Sequence, residues 1–228
     1  MTQPSSTTLD RSILLLFELA ANPEGLTVSE LARRLDTQRA PLYRQLRSLA
    51  NGRLIRRAED KTYQLGLGVL ELARAFSTPI NEKARPILQQ LANQTGFTAH
   101  LSLAEDEALV LVASATPSSP GMHLTTRAGY TYDQTMSAPR VAMLASKPHS
   151  NEEPEIVSTT RERGYVSTRE TWVRPGLFGI SVPIKISGMH GALSVVAPKD
   201  ASEADQPLEL SLVKPLQESA RSLLENSL

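Results

Sequence analysis

Residues 27–65, TVSELARRLDTQRAPLYRQLRSLANGRLIRRAEDKTYQL, decide how the rest of the chain is read. Thr27 followed three residues later by Glu30 has the form of a capping box. The hydroxyl accepts an orphan helix N–H and the carboxylate reaches back to the cap. Val28, Leu31, Ala32 and Leu35 then recur at helical spacing, with Arg33 and Arg34 turned away from that stripe. Asp36-Thr37-Gln38 makes a turn. A further helix is expected over 39–50, with Leu42, Leu46 and Leu49 inward and Arg39, Tyr43, Arg44 and Arg47 on the other side. Pro41 falls in its first turn, where a backbone N–H has no partner to lose. Asn51-Gly52 reads as a left-handed terminator. Leu54–Arg57 and Thr62–Leu65, around Glu59-Asp60-Lys61, form a β-hairpin. Two short helices backed by an arginine-rich hairpin describe a winged helix–turn–helix, which holds its second helix out for a DNA major groove.

The residue types fit that geometry. The start of the 39–50 helix carries Gln38, Arg39 and Ala40 toward base edges. Arginine forks onto guanine, and Tyr43 suits a phosphate or a thymine methyl. Arg56, Arg57 and Lys61 of the hairpin meet backbone phosphates or a minor groove. Thr27, Arg44 and Arg47 complete the candidate contact set to double-stranded DNA.

The formal charge of the 228-residue chain is zero, which by itself argues against a nucleic-acid binder. The average hides an asymmetry: residues 1–66 carry 10 Lys+Arg against 7 Asp+Glu, and residues 67–228 carry 14 against 17. Nine of those ten cations are arginine, the one that pairs best with phosphate and guanine. With no cysteine there are no disulfides, thiolate zinc sites or cysteine nucleophile, which fits a reducing cytoplasm. The opening MTQPSSTTLDRS lacks the pattern of a signal peptide, and no apolar run reaches 18 residues, so no membrane span is expected.

Outside the central stretch, residues 1–6 read as disordered. Thr8 caps a helix over about 9–21, with Leu9, Ile13, Leu16, Phe17 and Ala20 on its apolar face; Asn22-Pro23-Glu24-Gly25 ends it. Residues 67–79 read as a linker helix broken at Thr78-Pro79, and 80–94 as a second helix stopped by Gly96. Period-two alternation then sets in. Phe97–Ala104 and Ala108–Ser114 are adjacent strands about an acidic turn, and Met122–Arg127 is a third. Ser137–Ser146 is a short apolar helix, and another ends near Arg163-Gly164. Tyr165–Thr168 is a short strand. Phe178–Ile186 and Gly191–Ala197 form a hairpin, and Leu208–Leu224 is a closing helix with a kink or late start at Pro215. The fold class is α+β, with helices on an antiparallel sheet.

At this point the chain resembles the IclR-type bacterial transcriptional regulators. The likeness rests on TVSELARRLD, LYRQLRSL and YQLG in the N-terminal part. Further on it rests on RPILQQLANQTGFTAHLSL, SAPRVAMLAS, RERGYVSTRE, GISVPIK and GALSVVAP, in that order. The resemblance implies a winged helix–turn–helix over 1–66, a linker helix over 67–79 and a GAF-like effector-binding and oligomerisation domain over 80–228. It also implies a homodimer or homotetramer on pseudo-palindromic operators, repressing or activating transcription, and no cofactor. The family's effector pocket, carried onto this chain, falls on Leu124, Ser137, Ala138, Pro139, Arg169, Leu177, Gly179, Ser194 and Val196. Several positions depart from the family pattern. Arg140-Val141 stands where Gly-Lys is usual, Ser167-Thr168-Arg169 where acids are usual, Gly179 where Cys is common, and Val196 where a second serine is common. Arg140 and Arg169 then offer positive charge to an acidic effector. Ala40-Pro41 replaces a common Ser-Thr pair, which moves the reading contacts onto Gln38, Arg39 and Tyr43.

Enzymatic readings are weaker. His100, His123, His149 and His190 are not spaced as metal ligands, and His100 reads as a satisfied strand residue. Nucleophile-elbow, P-loop and dinucleotide motifs are absent. Glu105-Asp106-Glu107 reads as a solvated turn, and Trp172 as a loop anchor or pocket lid. The expected function is operator binding controlled by a small organic acid. The second reading is a DNA-binding regulator whose C-terminal domain serves only oligomerisation.

Overall fold

The computed structural model describes residues 7–120, 123–132, 136–168, 177–198 and 206–225. The segment read as disordered, Met122, Arg169 and Trp172 lie outside the described residues. The chain forms two compact units, Met1–Phe76 and Ser77–Leu228. No described helix is long and apolar enough to cross a membrane.

In the first unit α1 (Thr7–Ala21), α2 (Val28–Arg34) and α3 (Arg39–Asn51) precede the hairpin β1 (Ile55–Arg57) and β2 (Tyr63–Leu65). The expected capping box is present. The Thr27 backbone N–H donates to Glu30 Oε2 at 2.8 Å, the Thr27 hydroxyl donates to the same oxygen at 2.7 Å, and the Glu30 N–H donates to Thr27 Oγ1 at 3.3 Å. Thr27→Ala removes the hydroxyl half of this exchange. The expected cost is about 1 kcal/mol of stability, read as a lowered urea midpoint at constant slope.

The core of this unit packs Leu15 and Leu19 of α1 against Leu31, Ala32, Leu42, Leu46, Ile55 and Tyr63. This corrects the expected face of α1. Leu9 is 60% exposed, Ile13 45% and Phe17 68%, and Ala20 is exposed too. The segment ILLLFELAA is apolar on more than one side, so periodicity alone offers two stripes, and the packed one is the stripe that meets α2 and α3. Gly52 is likewise not left-handed. Its φ is −76°, and Arg53 takes the positive φ of +57°. The Leu54 N–H returns to the Leu49 carbonyl at 2.9 Å. A left-handed residue after the helix end was needed, and it falls one place later than the glycine.

In the second unit, strands β3 (Thr98–Glu105), β4 (Ala108–Ala115), β5 (Thr131–Tyr132), β6 (Val166–Thr168), β7 (Leu177–Ile186) and β8 (Met189–Pro198) form an antiparallel sheet in the order β5-β4-β3-β8-β7-β6. Residues 123–127 are not a strand; the edge of the sheet is instead the two-residue β5, paired to Leu109 and Val110. Helix α4 (Gly68–Thr95) runs unbroken through Thr78-Pro79, against the expected interruption. An interior proline costs about 3 kcal/mol. Downstream, Ala84, Leu88, Leu91 and Ala92 are buried, and each fully buried leucine contributes about 1.5–3 kcal/mol. The same balance carries α7 (Gln206–Glu225) through Pro215, with Leu212, Leu216, Ala220 and Leu223 buried on the sheet.

Strand alternation divides the sheet into two faces. Ala99, Leu101 and Leu103 of β3, Phe178, Ile180 and Val182 of β7, and Leu193 and Val195 of β8 face α4 and α7. The alternate residues face the side that carries α5 (Ala138–Ser146), where Ala138, Val141, Ala142 and Ala145 pack with Val157 of α6 (Glu155–Arg163) and with Ala192.

Candidate functional site

The first candidate surface belongs to α3 and the hairpin. Leu42, Gln45 and Leu46 are buried, which leaves Arg39, Ala40, Tyr43, Arg44 and Arg47 exposed, Tyr43 to 54%. Gln38 caps the helix by backbone position only, and its side chain makes no cap hydrogen bond. Among the described residues no carboxylate lies within ion-pair distance of Arg39, Arg44 or Arg47. Arg34, by contrast, pairs with Glu18 at 3.0 Å. Arg11 of α1, which the sequence did not single out, lines a cleft with Arg33, Gln38 and Arg39 at the start of α3. Thr27 has its hydroxyl occupied in the helix cap.

The hairpin is braced from within. Arg56 donates to the Gln64 side-chain oxygen, and the Arg57 guanidinium carbon sits 5.9 Å from the Tyr63 ring centroid. At the tip, Asp60 accepts the Thr62 N–H at 3.0 Å and the Thr62 hydroxyl at 2.7 Å, and those two bonds hold its carboxyl below the usual carboxylate range. Lys61 takes a φ of +70° there and is exposed.

The second candidate site is a cavity of about 70 Å³ on the α5 side of the sheet. Its lining combines His100, Ser181 and Ser194 with Tyr130 and Tyr132, Ser137 and Pro139 at the start of α5, Thr126, Leu177, Gly179 and Val196. Register explains the convergence. Ser181 pairs with Ser194, Ser194 with His100, and His100 with Ser114, so one polar row crosses four strands. The Ser181 and Ser194 hydroxyls bond each other at 2.7 Å. The Ser102 hydroxyl donates to Tyr132 Oη at 3.4 Å, and burial holds the Tyr132 phenol above its ordinary pKa.

Two lining groups are left without partners. Both ring nitrogens of His100 are buried with no hydrogen bond, as is the Ser137 hydroxyl. Burial lowers the His100 pKa to about 4, so its ring is neutral at pH 7. Ser137 occupies the N-cap of α5, a position where serine normally bonds the first turn, and here it does not. Buried polar groups are almost always satisfied, so the pair points to an absent bonding partner.

Of the pocket residues implied by resemblance, Ser137, Pro139, Leu177, Gly179, Ser194 and Val196 line the cavity, while Leu124, Ala138 and Arg140 do not. Leu124 accepts from the Thr98 hydroxyl through its carbonyl at 2.6 Å, and Ala138 is buried among the α5–α6 contacts. Arg140 is buried but turned toward the β3–β4 turn. Its Nη1 donates to the Glu107 carbonyl at 3.0 Å and its Nη2 lies 3.4 Å from Glu107 Oε2, while the Glu107 side chain stays 68% exposed on the solvated turn. Arg140 therefore does not line the cavity. His100, expected to be a satisfied strand residue, is not, and Tyr130, Tyr132, Thr126 and Ser181 line the cavity without having been expected there. Strand alternation places Ser181 on the same face as Ser194, a signal the sequence did carry.

Residues 8–59 match the family described as the IclR helix-turn-helix domain. The chain is 32% identical over 111 residues to the HTH-type transcriptional regulator BhcR of Paracoccus denitrificans, a match covering 47% of this chain and 39% of that one. The first unit therefore carries a helix-turn-helix of the IclR type. The chain is also 29% identical over 205 residues to the protein named "Probable HTH-type transcriptional regulator ArcR" of Halobacterium salinarum, across 77% of both chains. Among solved structures, an IclR transcriptional regulator from Alicyclobacillus acidocaldarius superposes with a TM-score of 0.80 at 21% identity, over 98% of this chain and 100% of that one. An IclR homolog from Microbacterium hydrocarbonoxydans, complexed with 4-hydroxybenzoate, superposes at 0.74 with 19% identity, over 96% and 98%. At these identities the superpositions establish the shared fold.

Proposed function

We propose that the chain is a transcriptional regulator whose operator binding is controlled by a small organic acid held in the sheet cavity. The observation that carries the effector half of this reading is that the Ser137 hydroxyl and the His100 ring, both unpaired, line the same cavity. The DNA half rests on the exposed Arg39–Arg47 face within the IclR helix-turn-helix match. The bound 4-hydroxybenzoate of the Microbacterium homolog supports an acid as the ligand class. An apolar cavity that admits benzene measures about 150 Å³. At about 70 Å³ the cavity here suits an acid of fewer heavy atoms.

The functional protein is a homodimer or homotetramer in this reading. Leu9, Ile13, Leu14 and Phe17 of α1, Leu67 just before α4, and Leu70, Leu72 and Phe76 in its first turns are exposed, apolar side chains that pairing between copies would cover. Pairing two copies places two α3 helices in successive major grooves, about 34 Å apart. The dimer also supplies affinity that a net charge of +3 in the first 66 residues does not. The ligand acts by binding one dimer geometry better than another.

The test is a thermal-shift screen of acetate, propionate, butyrate, pyruvate and 4-hydroxybenzoate, followed by DNA-affinity measurement on the intergenic region beside the gene. At least one acid is expected to raise the melting temperature and change the affinity, and Ser137→Ala is expected to cut the shift at least threefold. If no acid does either, the second reading stands, with the C-terminal unit serving oligomerisation alone.

A further inference from the structure

We infer that His100 selects the acid group of the effector: the carboxylic acid enters the cavity together with one proton, which ends on the His100 ring, and the carboxylate is held between that ring and the Ser137 hydroxyl. The inference rests on the reading of the cavity as the effector site.

No lysine, arginine, aspartate or glutamate lines the cavity among the described residues. The titratable groups that share it with His100 are Tyr130 and Tyr132, from the β5 side. Burial keeps the Tyr132 phenol protonated, and Tyr130 meets it edge-on with ring centroids 5.2 Å apart. From β4, β7 and β8 the facing groups are Ser114, Ser181 and Ser194, all uncharged. From α5 they are Ser137 and Pro139, because the next residue, Arg140, is engaged by Glu107. An ionised carboxylate moved alone into such a space loses its hydration without gaining a counter-charge. A neutral imidazole with both nitrogens unpaired supplies the missing partner, because it can become a cation only when an anion arrives with it.

At pH 7 the free ligand is a carboxylate and the free ring is neutral. Solvent supplies one proton, and the complex holds an imidazolium beside a carboxylate with no net charge added to the cavity. One proton taken up per ligand makes affinity fall about tenfold for each pH unit between pH 6 and pH 8. A neutral isostere of the ligand, such as propionamide against propionate, brings no charge and takes up no proton.

The experiment uses the full chain and the acid that gives the largest melting shift. Titrations at pH 6, 7 and 8 are expected to show the tenfold steps. Nitrogen-15 spectra of the imidazoles, with His100→Gln for assignment, are expected to show the His100 ring neutral without ligand and charged with it at pH 7. His100→Gln, which keeps a hydrogen-bonding side chain but cannot take a proton, is expected to lose the pH dependence and at least tenfold in affinity at pH 6. If an acid binds with pH-independent affinity and His100 stays neutral, this inference is overturned, and the effector reading survives with some other cation holding the acid. If no acid in the panel binds, both fall. The spectra of the unsubstituted chain decide the matter even if His100→Gln does not fold.

Discussion

Arg39→Ala combined with Tyr43→Ala is expected to abolish sequence-specific operator binding while leaving the fold intact. Both side chains leave α3 on its exposed face, whereas the residues that hold the helix in place, Leu42 and Leu46, are buried and untouched. Arg39 has no competing ion pair within the described chain, so its guanidinium is available to fork onto a guanine. Each good base contact discriminates by about 1–3 kcal/mol, so losing two costs a factor of about 10² to 10⁴ at the correct site. Arg57→Ala is expected to behave differently. Its guanidinium lies over Tyr63 on the exposed hairpin, and if it meets a phosphate its loss weakens all sequences about equally and lowers the salt slope by about one. Footprinting and salt titration of the two variants separate the two kinds of contact. A native footprint from the Arg39→Ala, Tyr43→Ala protein would remove α3 as the reading helix.

Gly191→Ala is the expected strongest single change to the second unit. A Cβ at this position lies 2.2 Å from the Ser102 carbonyl oxygen, 2.9 Å from Leu103 Cδ2 and 3.2 Å from Leu103 Cα. Ser102 and Leu103 sit in the middle of β3, bonded to β4 on one side and β8 on the other, so that backbone has nowhere to retreat. Relieving the clash means parting β3 from β8, the pair that carries His100 and Ser194 across the floor of the cavity. The expected loss is about 3 kcal/mol or more, a fall of roughly 6–12 °C in melting temperature. The ligand-induced shift should fall with it. Circular-dichroism melts with and without ligand measure both, and a variant melting within about 1 °C of the unsubstituted protein would show that β8 can move.

The sequence by itself determined the pieces whose causes are local. The Thr27–Glu30 capping box, the buried stripe of α3, the hairpin after it, the Gly96 and Gly164 helix ends and the β7–β8 hairpin each follow from residues within a few positions of one another. Those residues set caps, turns and periodicity without reference to the rest of the chain. The tertiary structure decided what depends on distant partners. Helix α1 has two apolar stripes, and only packing against α2 and α3 chose Leu15 and Leu19 for the core. Pro79 and Pro215 read as breaks because the local cost is visible and the burial that outweighs it is not. Arg140 was within reach of a pocket in sequence order, but the β3–β4 turn brought Glu107 to it instead. The cavity is the clearest case. His100, Ser137 and the Ser181–Ser194 pair are separated by tens of residues, and only strand register sets His100, Ser181 and Ser194 in one row with the start of α5 above. Hydrogen-bond satisfaction is a property of such non-local neighbours. That is why a histidine with the pattern of an ordinary strand residue stands, in the folded chain, as an unpaired group facing the cavity.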